Sequence, residues 1–454
     1  MERARKAQRI AEHFTQEQVD ELATAIAFDI AANDEVLAEL ATLAMEETQL
    51  GDYDSKVLKL KKKIRGVLRD IKHEKTVGVI EENKEKGLRK IAKPAGIIGS
   101  LIPSTGPEMI PALLALCSIK GRNAMVFAPH PRGQKTTFRT VEIMRETLKK
   151  YNAPADLLIC VENPTVHMSN VIMEQSDLVI ATGGSGMVKA AYSSGTPAYG
   201  VGAGNDAVVV DESADLKDSA HKIMLSKTFD LAASCSSDNA LVINDTVYDE
   251  MINLLKVEGG YLVTPEEKVR LQKALWPNWP NDNIINRDIV AKPTDVIAEI
   301  AGIKVPEGCK FIMVEETGSG ERYPFSGEKL SLVVAIYKYK EFKDAIRIVN
   351  ENQAYSGAGH SCGIYSFNED HIMQLSLGTY TSRVIVRQPQ SYTNTGDWTS
   401  GMPFTGTLAC GTWGGNITSE NIGMKHFLNL TWVTTPIPTT IPTDEELFGD
   451  LMNK

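Results

Sequence analysis

Apolar positions recur at helical spacing through the first fifth of the chain. Leu22, Ile26 and Ile30 share one face, and Val36, Leu37, Leu40 and Leu43 form a second stripe after Asn33-Asp34. A charged stretch follows from Lys56 to Lys93, sharpest at Lys61 to Lys63 with Arg65, and is expected to be a solvated helix face. Residues 76–93 predict an exposed hairpin around a Glu-Asn-Lys turn. From residue 95 short apolar runs alternate with helical stretches. Strands are expected at 96–102, 124–128, 157–161, 178–181 and 207–210. Pro107 opens a helix between them, and Phe138, Val141, Met144 and Leu148 stripe another. A second alternating block begins near 239, with strands at 239–243, 310–314, 331–336, 361–366 and 383–387 and a helix at 340–351.

Strands that are apolar on both faces, separated by helices, predict an α/β protein with parallel sheets covered on both sides. Ligands of such sheets bind beyond the carboxyl ends of the strands. The expected division is a Rossmann-type parallel-sheet domain over 1–228, with 76–93 protruding, and a second α/β domain over 229–415. A wrapping or oligomerisation segment would fill 416–454, because its Pro/Thr-rich stretch 434–443 cannot build a core alone.

Composition narrows the function. The chain has 454 residues, with 48 Lys and Arg against 58 Asp and Glu, a net charge of −10. Nothing in that balance attracts nucleic acid. No apolar run reaches the ~20 residues of a membrane span. The charged start, Met1 to Lys6, is not a signal peptide, so the cytoplasm is the expected location. Six cysteines stand without a CxxC pair, which predicts neither a zinc site nor a disulfide framework.

Four places carry candidate chemistry. Thr182-Gly-Gly-Ser-Gly-Met-Val-Lys189 follows a strand and precedes a helix, where glycines let backbone approach a phosphate at a helix N-terminus. Cys235 sits among small polar residues just before an apolar strand, an environment suited to a nucleophile that a carbonyl carbon must reach. His360, in Gly357-Ala-Gly-His-Ser-Cys362, is the best acid–base candidate among eight histidines. Glu328 occupies a turn entering a strand.

In this order the segments resemble the CoA-acylating branch of the aldehyde dehydrogenase superfamily. The likeness rests on Ile102-Pro-Ser-Thr-Gly-Pro107, Arg122 to Arg132, Ala181 to Gly195 and Gly200-Val-Gly-Ala-Gly-Asn205, on the Cys235 loop, and on Gly327-Glu-Lys-Leu330, Gly359-His-Ser361 and Cys410-Gly-Thr-Trp-Gly-Gly-Asn416. The resemblance implies an aldehyde dehydrogenase-like fold with 1–228 as the cofactor-binding domain and 229–415 as the catalytic domain, NAD(P)+ as cofactor and coenzyme A as co-substrate; His130 and Arg132 put NADP+ ahead of NAD+. It implies that Cys235 attacks an aldehyde, that the adduct gives up a hydride, and that the resulting thioester passes its acyl group to CoA. Glu328 would contact the nicotinamide ribose. His360 would deprotonate the CoA thiol or steer the adduct. Ser104, Thr105, His130, Pro131, Arg132, Thr182, Gly183, Gly184, Ser185, Met187 and Gly202 would line the cofactor, His130 and Arg132 favouring a 2′-phosphate. No metal is expected, and a homodimer or dimer-based tetramer is.

Two departures matter. Hydrolytic relatives place a water-activating glutamate where this chain has Gly200, so transfer to a thiol is favoured over release of an acid. Relatives often carry asparagine where Gly106 stands. The oxyanion would then rely on the Cys235 or Ser236 N–H or on a hydroxyl of Ser104 or Thr105. Arg387, followed by Gln388, Gln390 and Asn394, is a donor-rich cluster that could clamp an anionic tail, with Ser234 and Ser236 beside the aldehyde. Together with the Cys410 to Asn416 segment and the ending Thr431 to Gly449, it is most similar to the members acting on sulfoacetaldehyde. Succinate semialdehyde and acetaldehyde follow as alternatives.

Overall fold

The computed structural model describes residues 1–453, apart from the side chains of Ser185 and Asn453. Four helices come first: α1 (Glu2–Ala11), α2 (Gln16–Ala31), α3 (Asp34–Thr48) and α4 (Tyr53–Ile71). Their starts are written locally. Thr15 and Gln18 form a reciprocal capping box at α2, Asn33 accepts from the first turn of α3, and Asp52 caps α4 through the Ser55 N–H. The antiparallel pair β1 (Gly78–Asn83) and β2 (Leu88–Pro94) is the expected hairpin.

The first parallel sheet holds β3 (Ile97–Ile102), β4 (Ala124–Pro129), β5 (Leu158–Cys160), β6 (Leu178–Thr182) and β7 (Ala198–Val201), in the spatial order β5-β4-β3-β6-β7. Every residue of β3 and β4 is buried, as a sheet covered on both faces requires. The helix Ile110–Lys120 after β3 is buried throughout and packs against α2. Strand order reverses between β3 and β6, which opens a crevice at their carboxyl ends.

The second sheet comprises β8 (Asp206–Val210), β9 (Asp238–Asn244), β10 (Gly260–Leu262), β11 (Phe311–Glu315), β12 (Val333–Tyr339), β13 (Cys362–Tyr365) and β14 (Val384–Val386). All its pairings are parallel, in the order β10-β11-β12-β9-β8-β13-β14. The strand expected at 207–210 therefore belongs to this sheet, between β9 and β13. The chain crosses from one sheet to the other at 202–205, not at 228. Strand–helix alternation shows that a strand exists but not which sheet takes it. The last strand, β15 (Leu428–Thr434), runs antiparallel along β2 and turns the hairpin into a three-stranded arm.

The charged stretch departs most from expectation. Lys61 and Arg65 face solvent, but Lys56, Lys59 and Lys63 are buried at 0%, 8% and 3% exposure. They recur at i, i+3 and i+7, one face of α4. Asp230, bonded to Lys59 at 2.5 Å and near Lys56 at 3.6 Å, and Glu108, 3.3 Å from Lys59, stabilise that face. Lone lysines read as solvated because those partners lie far away in sequence.

Candidate active site

The two sheets meet around a cavity of about 320 Å³. The carboxyl ends of the first sheet supply Pro103 to Gly106 after β3, His130 after β4, Thr182 to Gly184 at the end of β6, and Val201 and Gly202 after β7. The loops after β3 and β6 flank the reversal of strand order. Gly184, on the cavity, is the cap of the helix Ser185–Ser193 and makes no side-chain cap, a helix N-terminus of the kind that suits a phosphate.

The second sheet contributes the amino ends of its strands. Asp206 begins β8, Cys235 precedes β9, Glu328 precedes β12 and His360 precedes β13. His360 is fully buried. Its Nδ1 lies 2.8 Å from Asp206 Oδ1 and 2.8 Å from Ser361 Oγ. Asn394 Nδ2 donates to Asp206 Oδ2 and to Ser361 Oγ, both at 2.9 Å, which fixes the carboxylate. The His360 carbonyl accepts from Arg383 at 3.0 Å. With Nδ1 held by Asp206, the ring also interacts with Cys235. Burial disfavours the imidazolium, but the charges of Asp206 and then Cys235 outweigh it and hold His360 well above its ordinary value. An imidazolium beside sulfur is the setting in which a cysteine becomes a nucleophile.

Glu328 lies on the same wall. Its Oε1 accepts from the Gly204 N–H at 3.3 Å. Desolvation pushes it up to about 7, opposed by His360 and the Gly204 N–H and reinforced by Asp206. Lys329 pins the turn by donating to Phe325 O (2.6 Å) and Gly327 O (2.8 Å). Asn205 donates to Ser326 O and Asn352 O, tying the crossing segment to the Glu328 loop.

Two glycines of the motifs are there for close approach. A Cβ at Gly204 would stand 2.1 Å from the Cys235 carbonyl oxygen. Gly359, at φ +79°, would meet Cys410 O at 1.9 Å. The first lets the crossing segment press against the nucleophile loop, and the second lets the histidine loop press against the Cys410 segment.

The cavity thus brings together Cys235, Ser234, Glu328, Ser104, Thr105, His130, Thr182, Gly183, Gly184, Met187 and Gly202. His360 interacts with Cys235 but is not on the lining. The Ser185 side chain lies outside the described residues. Five expected positions fall elsewhere. Arg387 turns away, donating to Ser366 O at 2.6 Å and stacking 4.7 Å over Phe367, beyond the opposite, carboxyl ends of β13 and β14. Gln388 accepts from Thr393 Oγ1 and, through its carbonyl, from Tyr365. A strand-end arginine reads as a ligand clamp only if that end of the strand faces the site, and here the amino ends do. Ser236 is fully buried, and its N–H donates to Ser234 Oγ, which leaves the Cys235 N–H and the Ser104 and Thr105 hydroxyls as oxyanion donors. Pro131 is exposed, and Arg132 donates to Thr48 O. Asp206 was missed. Its signal was an acid at the head of an otherwise apolar strand. Lys59, Lys63 and Ser391, also on the cavity, were missed as well.

Residues 1–261 match the model of the aldehyde dehydrogenase family. The chain is 45% identical over its whole length to the acylating sulfoacetaldehyde dehydrogenase of Bilophila wadsworthia, covering 98% of that protein. It is 44% identical, again over its whole length and 94% of the relative, to a sulfoacetaldehyde dehydrogenase of an Acholeplasma species. The crystal structure of an acetylating aldehyde dehydrogenase from Geobacillus thermoglucosidasius superposes with a TM-score of 0.93 at 36% identity, over 97% of this chain and 96% of that one. The chain belongs to the aldehyde dehydrogenase family.

Proposed function

We propose that the protein oxidises sulfoacetaldehyde to sulfoacetyl-CoA, using NAD(P)+ and coenzyme A, reversibly. The substrate follows the two full-length relatives above. The acylating chemistry follows one observation in particular, the closure of position 200. Gly200 N–H donates to Tyr192 Oη at 3.1 Å, and Tyr192 Oη donates back to Gly200 O at 3.3 Å. A Cβ there would lie 2.7 Å from the Tyr192 ring and 2.8 Å from Val188. The glutamate that hydrolytic relatives use to activate water has no room.

The residues fit a nicotinamide dinucleotide: the Gly183–Gly184 backbone at a helix N-terminus for the pyrophosphate, Glu328 for the nicotinamide ribose, and His130 toward the adenosine end. Arg132 is engaged by Thr48 O, so of the two residues expected to favour a 2′-phosphate only His130 lines the cavity. When bound, the cofactor accepts the hydride. The chain's own residues do the rest. His360, kept protonated by Asp206, holds Cys235 as the attacking sulfur. The oxyanion of the thiohemiacetal takes the Cys235 N–H and a hydroxyl of Ser104 or Thr105. Collapse of that oxyanion leaves a thioester on Cys235. Glu328, poised near 7, takes the proton of the incoming CoA thiol, and Cys235 departs as a thiolate facing His360 again. No base stands beside water at position 200, so the thioester waits for CoA.

A homodimer, or a dimer-based tetramer, completes this reading. Its support is the exposed arm strand β15 with Leu430 and Trp432 at 45% and 57% exposure. The cytoplasm is the proposed compartment. The test is NADP+ and NAD+ reduction with sulfoacetaldehyde, succinate semialdehyde and acetaldehyde side by side, with CoA present. Preference for sulfoacetaldehyde is expected. Preference for acetaldehyde would keep the mechanism and discard the substrate.

A further inference from the structure

The buried face of α4 carries one more positive charge than it has carboxylates to meet. Lys56 and Lys59 share Asp230 and Glu108, two cations against two acids. Lys62 pairs with Asp397 at 2.5 Å. Lys63, 3% exposed, has no carboxylate within pairing distance among the described residues. Its ammonium donates instead to two backbone carbonyls, Tyr392 O at 2.8 Å and Gly396 O at 2.6 Å.

Those carbonyls belong to the segment that forms one wall of the cavity. Ser391 and Thr395, each adjacent in sequence to one of them, line the same space as Lys63 and Cys235. Ser391 is 2% exposed, and its Oγ has no hydrogen-bond partner among the described residues. The wall also touches the nucleophile loop, since the Phe229 ring packs edge-on against Tyr392 with centroids 4.7 Å apart. A buried cation without a counter-ion and a buried hydroxyl without a partner are each unfavourable alone. Lining one cavity, they form the complement of a small anion.

We propose that Lys63 and Ser391 hold the fixed anionic group of the aldehyde, a sulfonate or carboxylate, and set the substrate class of this pocket. The inference rests on the aldehyde dehydrogenase reading above and names its specificity residues. Charge bookkeeping supports it. Burial, with Lys62 and then Lys59 on the same helix, lowers Lys63 to about 7, and Asp397 opposes the fall. Asp230 and Glu108 are engaged by Lys56 and Lys59. An anion seated on Lys63 restores its charge, so anion binding is expected to weaken as pH rises through 7. Two other buried lysines, Lys227 and Lys329, also donate to carbonyls, but neither lines the cavity.

The experiment measures kcat/KM for sulfoacetaldehyde and for acetaldehyde in wild type, Lys63→Met and Ser391→Ala. The ratio of the two should fall at least ~30-fold in Lys63→Met and about 3-fold in Ser391→Ala. A residue that only braces the fold would lower both values and leave the ratio unchanged, which would overturn the proposal. Ethanesulfonate and propionate, which carry the anion without the aldehyde, are titrated in parallel against the wild type. Saturable binding at pH 6.5 that weakens at pH 8.5 is expected, and the tighter of the two identifies the anion. Binding unaffected by Lys63→Met would contradict the assignment even where that variant is inactive. Absence of CoA-dependent turnover in the wild type with every aldehyde would instead sink the underlying reading, not the anion site.

Discussion

The two sheets meet the cavity with opposite ends and different chemistry. The first offers carboxyl ends, and what it places there is mostly backbone and small residues: Pro103 to Gly106, Thr182 to Gly184, Gly202. The second offers amino ends, and places there four ionisable side chains: Asp206, Cys235, Glu328 and His360. A phosphate-bearing cofactor needs close approach and N–H groups, which contiguous loops supply. A nucleophile needs tuned neighbours, and the side chains around Cys235 come from the heads of three other strands. Mutations on the two sides should therefore fail differently.

The largest effect is expected on the second side. Cys235→Ala should lower turnover by about 10⁴-fold or more, while cofactor affinity, read by fluorescence quenching, stays within about twofold. Asp206→Asn should cost roughly 10²-fold in kcat/KM. It should also slow alkylation of Cys235 by iodoacetamide at pH 7, because His360 loses the charge that keeps it protonated. An alkylation rate equal to wild type would show that Asp206 does not act through His360. Glu328→Gln should lower the CoA-transfer step about 10-fold. In the wild type that step should accelerate as pH rises through 7, since the carboxylate form of Glu328 grows above its value of about 7. Glu328→Gln should flatten that limb, and a limb that persists would assign it to another group. The smallest effect belongs to Arg387→Met. The sulfoacetaldehyde-to-acetaldehyde preference should move by less than about twofold, because Arg387 faces Ser366 and Phe367 away from the cavity.

The same contrast explains what the sequence could reveal. The first side reads directly from the chain, since a strand, a glycine run and a helix are consecutive at 178–193. Cys235, His360 and Glu328 were visible as unusual residues in short loops before strands. Their common partner, Asp206, was not, because it lies 154 positions from His360 and only the parallel pairing of β8 with β13 joins them. The same blindness hid the lysines of α4. Their spacing was helical, but Asp230 and the Tyr392 and Gly396 carbonyls that accept from them come from loops 171 to 333 residues away. Arg387 failed for the complementary reason. Its residue type suggested an anion, but residue type carries no information on which end of a sheet faces the site.

The most direct test of acyl transfer to CoA rather than water is rapid mixing of enzyme, NADP+ and sulfoacetaldehyde without CoA. The account predicts a single burst of NADPH close to one equivalent per Cys235, followed by a stall that added CoA releases. Steady NADPH formation beyond that equivalent, with sulfoacetate accumulating in the absence of CoA, would contradict it.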